Sequence, residues 1–252
     1  MIRPSQYDRG NIYLSGGMQF AANLGAAWRV TASEKLKNMQ YFPLDITELD
    51  VAYNEAHTKI SIPEATVERP VLSQEEVLFY KSTMRKHFVK TDLDLIEKNS
   101  DALIVYYDES ARRGAGTVSE AQAAFNLDIP IFLVCEYPSE AEMFKNVSGW
   151  LIALATKHFL NFDDLYAYLD KLPKGILKKD QYGNRCVGDQ YLCHLSGEVF
   201  TKRKHKFVST VTPLYSQPSV EVVSKVIEQH KDRYEFFLEH LSKQTGTDFT
   251  RG

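Results

Sequence analysis

The sequence is poor in the features that mark secreted, membrane-spanning and nucleic-acid-binding proteins. Its 252 residues include three cysteines, Cys135, Cys186 and Cys193, a sparse and odd set that argues against a disulfide framework and fits a reducing compartment. No stretch approaches the roughly 18 apolar residues of a membrane span, and the first ten residues lack the apolar core of a signal peptide. A formal net charge of -3 gives no overall attraction to nucleic acid. We therefore expect a cytoplasmic protein whose partner is a small molecule, and neither a membrane nor nucleic acid.

The chain contains the alternating pattern of an α/β domain. Strand-like runs cover residues 11–14, 39–43, 102–107, 129–135 and 158–162. Helical patterns cover residues 20–37, 74–88, 120–126, 147–155 and 163–172, and a capping-box pattern at Thr91–Asp94 predicts a helix that restarts there and runs to Lys98. This alternation predicts a flavodoxin-like, mostly parallel sheet flanked by helices. Such sheets bind ligands outside the carboxyl ends of their strands, so we expect loops 15–18, 44–47 and 108–117 to meet at one site.

Pro173 ends the alternating part of the sequence, which predicts a first domain over residues 1–173. Residues 174–252 mix turn residues and short β-like runs with a strongly helical pattern over 218–243, so we treat them as an α+β appendage of unknown role. Residues 52–71 show little periodicity and are interpreted as an inserted loop that could act as a lid.

The most informative segment runs from Gly114 to Glu120, between a strand-like run and a helical one. Small residues at such a turn let a ligand approach the backbone, and the N–H groups of the helix's first turn attract polar ligand atoms. Glu120 would stand one turn inside, where a carboxylate can serve as a nucleophile or base. The pattern Thr117-x-x-Glu120 is also a capping box, in which both side chains serve only the helix end.

Two further residues carry the same ambiguity. Tyr13 suits a half-buried strand as well as a catalytic role. Asp92 can be a solvated acid that favours a helix start, or a general acid.

Taken in order, several short motifs resemble the nucleoside 2-deoxyribosyltransferase family. They are Ile12-Tyr-Leu-Ser-Gly-Gly17, Tyr41-Phe-Pro-Leu-Asp45, Asp92-Leu93, Ser100-Asp-Ala-Leu-Ile-Val105 and Gly116-Thr-x-x-Glu120. The resemblance covers about residues 11–172. It implies a flavodoxin-like enzyme that needs no cofactor and no metal, moves a 2-deoxyribosyl group from one nucleobase to another, and completes its active site by homo-oligomerisation.

The resemblance also implies roles for individual residues. Glu120 matches the nucleophile, Tyr13 the tyrosine that holds it, and Asp92 the acid that handles the base. The residues expected to bind the substrate are Ser15, Gly16, Gly17, Met18, Asp45, Asp108, Arg112, Gly114, Gly116 and Thr117. Gly114 occupies a position that is often acidic in the family, and Asp108 is the residue that could reach the same space.

Other functions compete with transfer. Arg112 and Arg113 suit a phosphate, which would make the chain an N-glycoside hydrolase of nucleoside 5′-monophosphates, or they simply face solvent. A non-catalytic nucleotide-binding module is the third alternative. Cys186, Cys193, His194 and His205 could in principle bind zinc, although no CxxC pair is present. The basic run 202–206 suits a charged turn better than a nucleic-acid contact.

Overall fold

The computed structural model describes residues 7–47, 73–180 and 183–201, which form a five-stranded parallel sheet with flanking helices and a small antiparallel sheet. The strands of the large sheet are β1 (Gly10–Gly16), β2 (Tyr41–Leu44), β3 (Ala102–Tyr106), β4 (Ile131–Val134) and β5 (Lys157–Phe159). Their order is β2-β1-β3-β4-β5, and every neighbouring pair is parallel. This is the flavodoxin-like strand order, so the predicted fold class is confirmed.

Helices connect these strands, and one more helix follows β5. They are α1 (Ala26–Asn38), α2 (Gln74–Thr83), α3 (Lys90–Asn99), α4 (Glu109–Arg113), α5 (Gly116–Asn126), α6 (Glu140–Asn146), α7 (Gly149–Leu154) and α8 (Phe162–Lys171). We predicted a loop where α4 forms. The side chain of Asp108 accepts a hydrogen bond from the backbone N–H of Ala111 and so caps this short helix.

Helices α2 and α3 form one continuous rod, because a π-helical segment, Met84–Val89, joins them. Ser73 begins the rod with a capping box. The predicted restart at Thr91 is therefore wrong: Val89 and Lys90 have helical backbone angles, and the Thr91 hydroxyl donates to the carbonyl of Lys86 within the rod, at 3.5 Å.

Helix α1 begins later than the predicted start at Phe20. Asn23, Leu24 and Gly25 all have positive φ angles, of 48°, 55° and 71°. Their left-handed backbone forms a tight turn that no continuous helix can include. The turn brings the chain back over the end of β1 before α1 starts.

The apolar core lies on both faces of the large sheet. Ile12 and Leu14 of β1 pack on one face with residues of α1 and α8 such as Leu36 and Leu169. Tyr13 points to the opposite face, where the core includes Ile96 of α3, and Ala121 and Ala124 of α5. Because side chains alternate along a strand, odd-numbered residues of β1 face α3 and α5.

Residues beyond Pro173 pack against the α/β domain. Strands β6 (Cys186–Val187), β7 (Gln190–Leu192) and β8 (Val199–Thr201) form the antiparallel sheet, and Leu177 and Leu192 join the core on the α1 and α8 face. The boundary at residue 173 stays a prediction. The predicted helix 218–243, the basic run 202–206 and the inserted loop 52–71 lie outside the described residues.

Candidate functional site

A pocket opens at the carboxyl ends of β1, β2 and β3, where the sheet order predicts a ligand site. It is lined by Gly16, Gly17, Met18, Gln19, Phe20, Ile46, Tyr80, Met84, Phe88, Asp92, Ser110, Ala111, Gly114, Ala115, Gly116, Thr117 and Glu120. Its volume is about 160 Å³. Since a cavity of about 150 Å³ holds a benzene-sized ring, the pocket suits a small cyclic group.

Glu120 lies at the floor of this pocket and is held by two residues of β1. The Ser15 hydroxyl donates to its Oε2 at 2.5 Å, and the Tyr13 hydroxyl donates to its Oε1 at 3.4 Å. Tyr13 and Ser15 are two residues apart on one strand, so both side chains point to the face that α5 covers. The strand thereby fixes both oxygens of one carboxylate.

The capping-box interpretation of Glu120 is not what the structure contains. Helix α5 begins at Gly116 after Ala115, and no side chain caps its first turn. Glu120 turns instead toward β1, while Thr117 is buried and lines the pocket. The carboxylate is thus available to the pocket and not to the helix end.

Asp92 approaches the same pocket from α3. Burial and, to a smaller extent, the negative charge of Glu120 raise its pKa, whereas hydrogen bonding with Tyr13 and the charge of Arg29 lower it, and the result is a pKa of about 8. A carboxyl group with this pKa is largely protonated at neutral pH. Asp92 therefore has a proton to give.

Burial also raises the pKa of Glu120, but the hydrogen bond from Ser15, the charge of Arg29 and the hydrogen bond from Tyr13 all lower it. The pKa of Tyr13 is raised well above its usual value by burial and by the charges of Glu120 and Asp92, so its hydroxyl stays protonated as a donor. The pocket thus holds two different carboxyl groups. The ionised form of Glu120 is stabilised by its hydrogen-bond donors, whereas Asp92 retains its proton.

The glycine loop after β1 is sterically required. A Cβ on Gly17 would lie 2.0 Å from the Ser110 Oγ and 2.5 Å from the Ala111 nitrogen, and a Cβ on Gly16 would lie 2.8 Å from the Trp28 ring. The loop therefore packs against α4 and α1 with no room for a side chain. Gly116 differs, because a Cβ there would meet no atom of the described part of the chain within 4 Å.

The pocket is lined by six of the ten residues predicted to bind substrate. Gly16, Gly17, Met18, Gly114, Gly116 and Thr117 line it, whereas Ser15 lies behind Glu120. Asp45 accepts from the backbone and hydroxyl of Thr47, and Asp108 accepts from the Ser110 hydroxyl as well as capping α4. Arg112 is exposed, pairs with Glu109 at 3.4 Å and contacts the Tyr137 hydroxyl. In this structure none of the three lines the pocket.

Sequence reasoning missed two components of the site. The first is an apolar wall formed by Tyr80, Met84 and Phe88 of the helical rod. Their spacing of four residues is a helical stripe, but nothing in the pattern shows that it faces a pocket. The second is Arg29, whose side chain is fully buried. Arg29 shares one helical face with Ala32, Ser33 and Leu36, and an arginine on a buried face was the available signal.

The described residues contain no group of three or more histidine, cysteine or acidic side chains placed to hold a metal ion. Of the four residues considered for zinc, His205 is outside the described part, and His194 pairs with Asp128 at 3.2 Å. Within the same ranges, no helix has both the length and the apolar character needed to cross a membrane.

Comparison with known proteins gives distant structural likenesses only to solved structures. No family model and no curated protein matches the chain. Among solved structures, a 2-deoxyribosyltransferase from the psychrotolerant bacterium Bacillus psychrosaccharolyticus aligns with a TM-score of 0.39 at 15% sequence identity, over 66% of this chain and 95% of that chain. A likeness this distant carries no weight for function, which is therefore argued from the pocket and from the sequence motifs.

Proposed function

We propose that this chain cleaves the N-glycosidic bond of a 2-deoxyribonucleoside and transfers the sugar to a second nucleobase. The observation that carries the proposal is the Glu120 carboxylate, fixed at the pocket floor by Ser15 and Tyr13, with Asp92 lining the same pocket. The ordered sequence motifs supply the substrate class, and the pocket supplies the chemistry.

In the first half-reaction, a Glu120 oxygen bonds to the anomeric carbon as the bond from that carbon to the base nitrogen breaks. The electron pair of the broken bond goes to the base, which takes the proton of Asp92. In the second half-reaction, an acceptor base gives its N–H proton to Asp92, and its nitrogen displaces Glu120 from the sugar. Because Asp92 ends as it began, one residue serves both halves.

The apolar wall supports a flat, weakly polar leaving group. Phe88 is buried, and Tyr80 and Met84 are partly buried beside it on the rod. Aromatic and thioether side chains pack well against the face of a nucleobase. We place the base against this wall and the sugar over Gly16, Gly17 and Glu120.

A second candidate is hydrolysis of a nucleoside 5′-monophosphate in place of transfer. The Arg113 guanidinium lies 4.4 Å from the ring centroid of Phe20, a pocket-lining residue, and so places a cation near the rim. A guanidinium matches the geometry of a phosphate. Water would then take the part of the acceptor base.

The test incubates the purified protein with thymidine or its 5′-monophosphate, with and without adenine, and follows products by chromatography. Formation of deoxyadenosine is the result expected for transfer, and free thymine without adenine supports hydrolysis. Glu120→Gln should abolish either product, whereas Glu97→Gln, an exposed glutamate on α3, should leave turnover unchanged. Binding of nucleoside without any bond cleavage would support the binding module instead.

The sequence resemblance also implies a homo-oligomer. We propose it as part of the same function, to be tested by light scattering in the presence and absence of substrate.

A further inference from the structure

A fully buried arginine lies behind the pocket. The three guanidinium nitrogens of Arg29 donate to four backbone carbonyls: Nε to Leu14 at 3.3 Å, Nη2 to Gly16 at 2.9 Å, and Nη1 to Leu24 at 3.3 Å and Gly25 at 3.1 Å. Its carbon Cζ also lies 4.7 Å from the Trp28 ring centroid. Burying a cation is costly unless it is hydrogen-bonded, and each of the three nitrogens of Arg29 donates at least one hydrogen bond.

The sheet register explains why these carbonyls meet Arg29. Strand β2 ends at Leu44, opposite Tyr13, whereas β1 continues to Gly16 beside β3. Arg29 therefore bonds to carbonyls of β1 beyond the end of β2. The same side chain reaches the left-handed turn before α1, where a Cβ on Gly25 would lie 2.4 Å from the Gly17 carbonyl oxygen. One guanidinium thus joins the end of β1 to the turn that backs the glycine loop.

Arg29 is also a positive charge among acidic groups. Its Nε lies 4.0 Å from Asp45, which directly follows β2. The other titratable groups that act on it are Glu120 of α5, Tyr13 of β1 and Asp108 before α4, and its charge acts in turn on Asp92 of α3. In a buried setting such interactions are weakly screened.

We propose that Arg29 is the positioning residue of this site: it holds the glycine loop through backbone carbonyls and supplies the charge that balances the Glu120 carboxylate. The inference rests on the proposed function for its kinetic consequences, but not for its electrostatic ones. Arg29 does not line the pocket and acts through its neighbours.

A pH profile separates this role from simple structural support. Glycosyl transfer needs Glu120 ionised and Asp92 protonated. With increasing pH, kcat/KM therefore rises as Glu120 ionises, which is the acidic limb of the profile, and falls as Asp92 ionises, which is the basic limb. The charge of Arg29 lowers the pKa of both groups. Removing the charge of Arg29 should move both limbs of the profile to higher pH by about one pH unit. At a fixed pH below each pKa, this corresponds to a tenfold change in the ionised fraction of each carboxyl group.

The experiment compares Arg29→Gln with Arg9→Gln. Arg9 is the matched control. It is also buried, it stacks on the ring of Tyr41, and it donates to the backbone carbonyls of Leu169, Asp170 and Leu172. It differs in place, because it precedes β1 and so lies at the opposite end of the sheet. We expect Arg9→Gln to alter stability and leave both limbs in place.

Carboxyl 13C NMR titration of the substrate-free protein gives the second readout. The signals of Glu120 and Asp92 are assigned from Glu120→Gln and Asp92→Asn, and both should titrate at higher pH in Arg29→Gln. If both signals shift but no nucleoside is cleaved, the proposed function fails and the inference about charge stands. If nucleosides are cleaved but limbs and signals stay in place in a folded Arg29→Gln, the inference is wrong.

Arg29→Lys completes the test if the glutamine variant does not fold. Lysine keeps the charge but lacks the planar fork that reaches several carbonyls. We expect limbs and carboxyl signals close to those of the wild type, with kcat/KM reduced about tenfold. Limbs that move, or kcat/KM that does not change, would overturn the proposal.

Discussion

The hydrogen bond from Ser15 to Glu120 offers a quantitative test of how the site holds its carboxylate. At 2.5 Å, it is a short contact from a fully buried hydroxyl to an ionisable group. Hydrogen bonds to charged groups contribute about 1.5–3 kcal/mol. Since one pKa unit equals 1.36 kcal/mol, Ser15→Ala should raise the pKa of Glu120 by about one to two units.

Ser15 does not act on Asp92, so the two sides of the pH profile should respond differently. In Ser15→Ala only the acidic limb of kcat/KM should move, whereas Arg29→Gln should move both. Carboxyl 13C NMR gives the same comparison without turnover. The matched control is Ser33→Ala, which removes another buried serine hydroxyl, one that has no hydrogen-bond partner among the described residues.

The same substitution should have a pH-dependent cost in stability. The lost hydrogen bond stabilises the ionised carboxylate, so the difference in free energy of unfolding between Ser15→Ala and wild type should be full above the pKa of Glu120. It should shrink as pH falls through that raised pKa. Urea unfolding across pH measures it, and a cost independent of pH together with an unmoved acidic limb would refute the reasoning.

Three further predictions concern the pocket walls and floor. Gly17→Ala should destabilise the fold by about 1–3 kcal/mol through overpacking, which thermal unfolding would measure. Gly116→Ala should fold normally and weaken only ligand binding, which calorimetry would measure. The pKa of Glu120 is raised in the folded protein, so ionisation of this residue lowers the free energy of unfolding as pH rises. Glu120→Gln should therefore become more stable relative to wild type with increasing pH in urea titrations. The opposite slope would contradict this prediction. Phe88→Ala should lower the free energy of unfolding by about 3 kcal/mol and weaken nucleobase binding. Its control is Leu78→Ala, at a position 60% exposed, which should change the free energy of unfolding by less than about 0.5 kcal/mol.

Local patterns were sufficient for most strands and poor at helix ends. Buried parallel strands such as β3 and β4 are continuous apolar runs, which are visible without any partner. The start of α1 was missed because Asn23 and Leu24 adopt left-handed angles that their residue types do not require. The restart at Thr91 was wrong because a capping motif also fits inside a helix when the chain continues on both sides.

The candidate site was also predictable only in part. The Gly114 to Glu120 segment and the Ser15 to Gly17 loop were identifiable because strand, turn and helix follow one another in sequence. Three of the predicted binding residues, Asp45, Asp108 and Arg112, were selected from a motif, from a position near Gly114 and from side-chain chemistry, and each forms a local contact instead of lining the pocket.

The sequence by itself determined that the chain builds a parallel α/β sheet with a small-residue turn and a carboxylate at the ends of its strands. These are properties of neighbours along the chain, since alternation, apolar runs and turn residues all act over a few positions. Only the tertiary structure decided which groups contact Glu120, because its capping partner and its strand partners compete and the fold selects Ser15 and Tyr13, more than 100 residues away. Only the tertiary structure revealed the contacts of Arg29, because they form where β1 extends past β2, which depends on the register between strands distant in sequence.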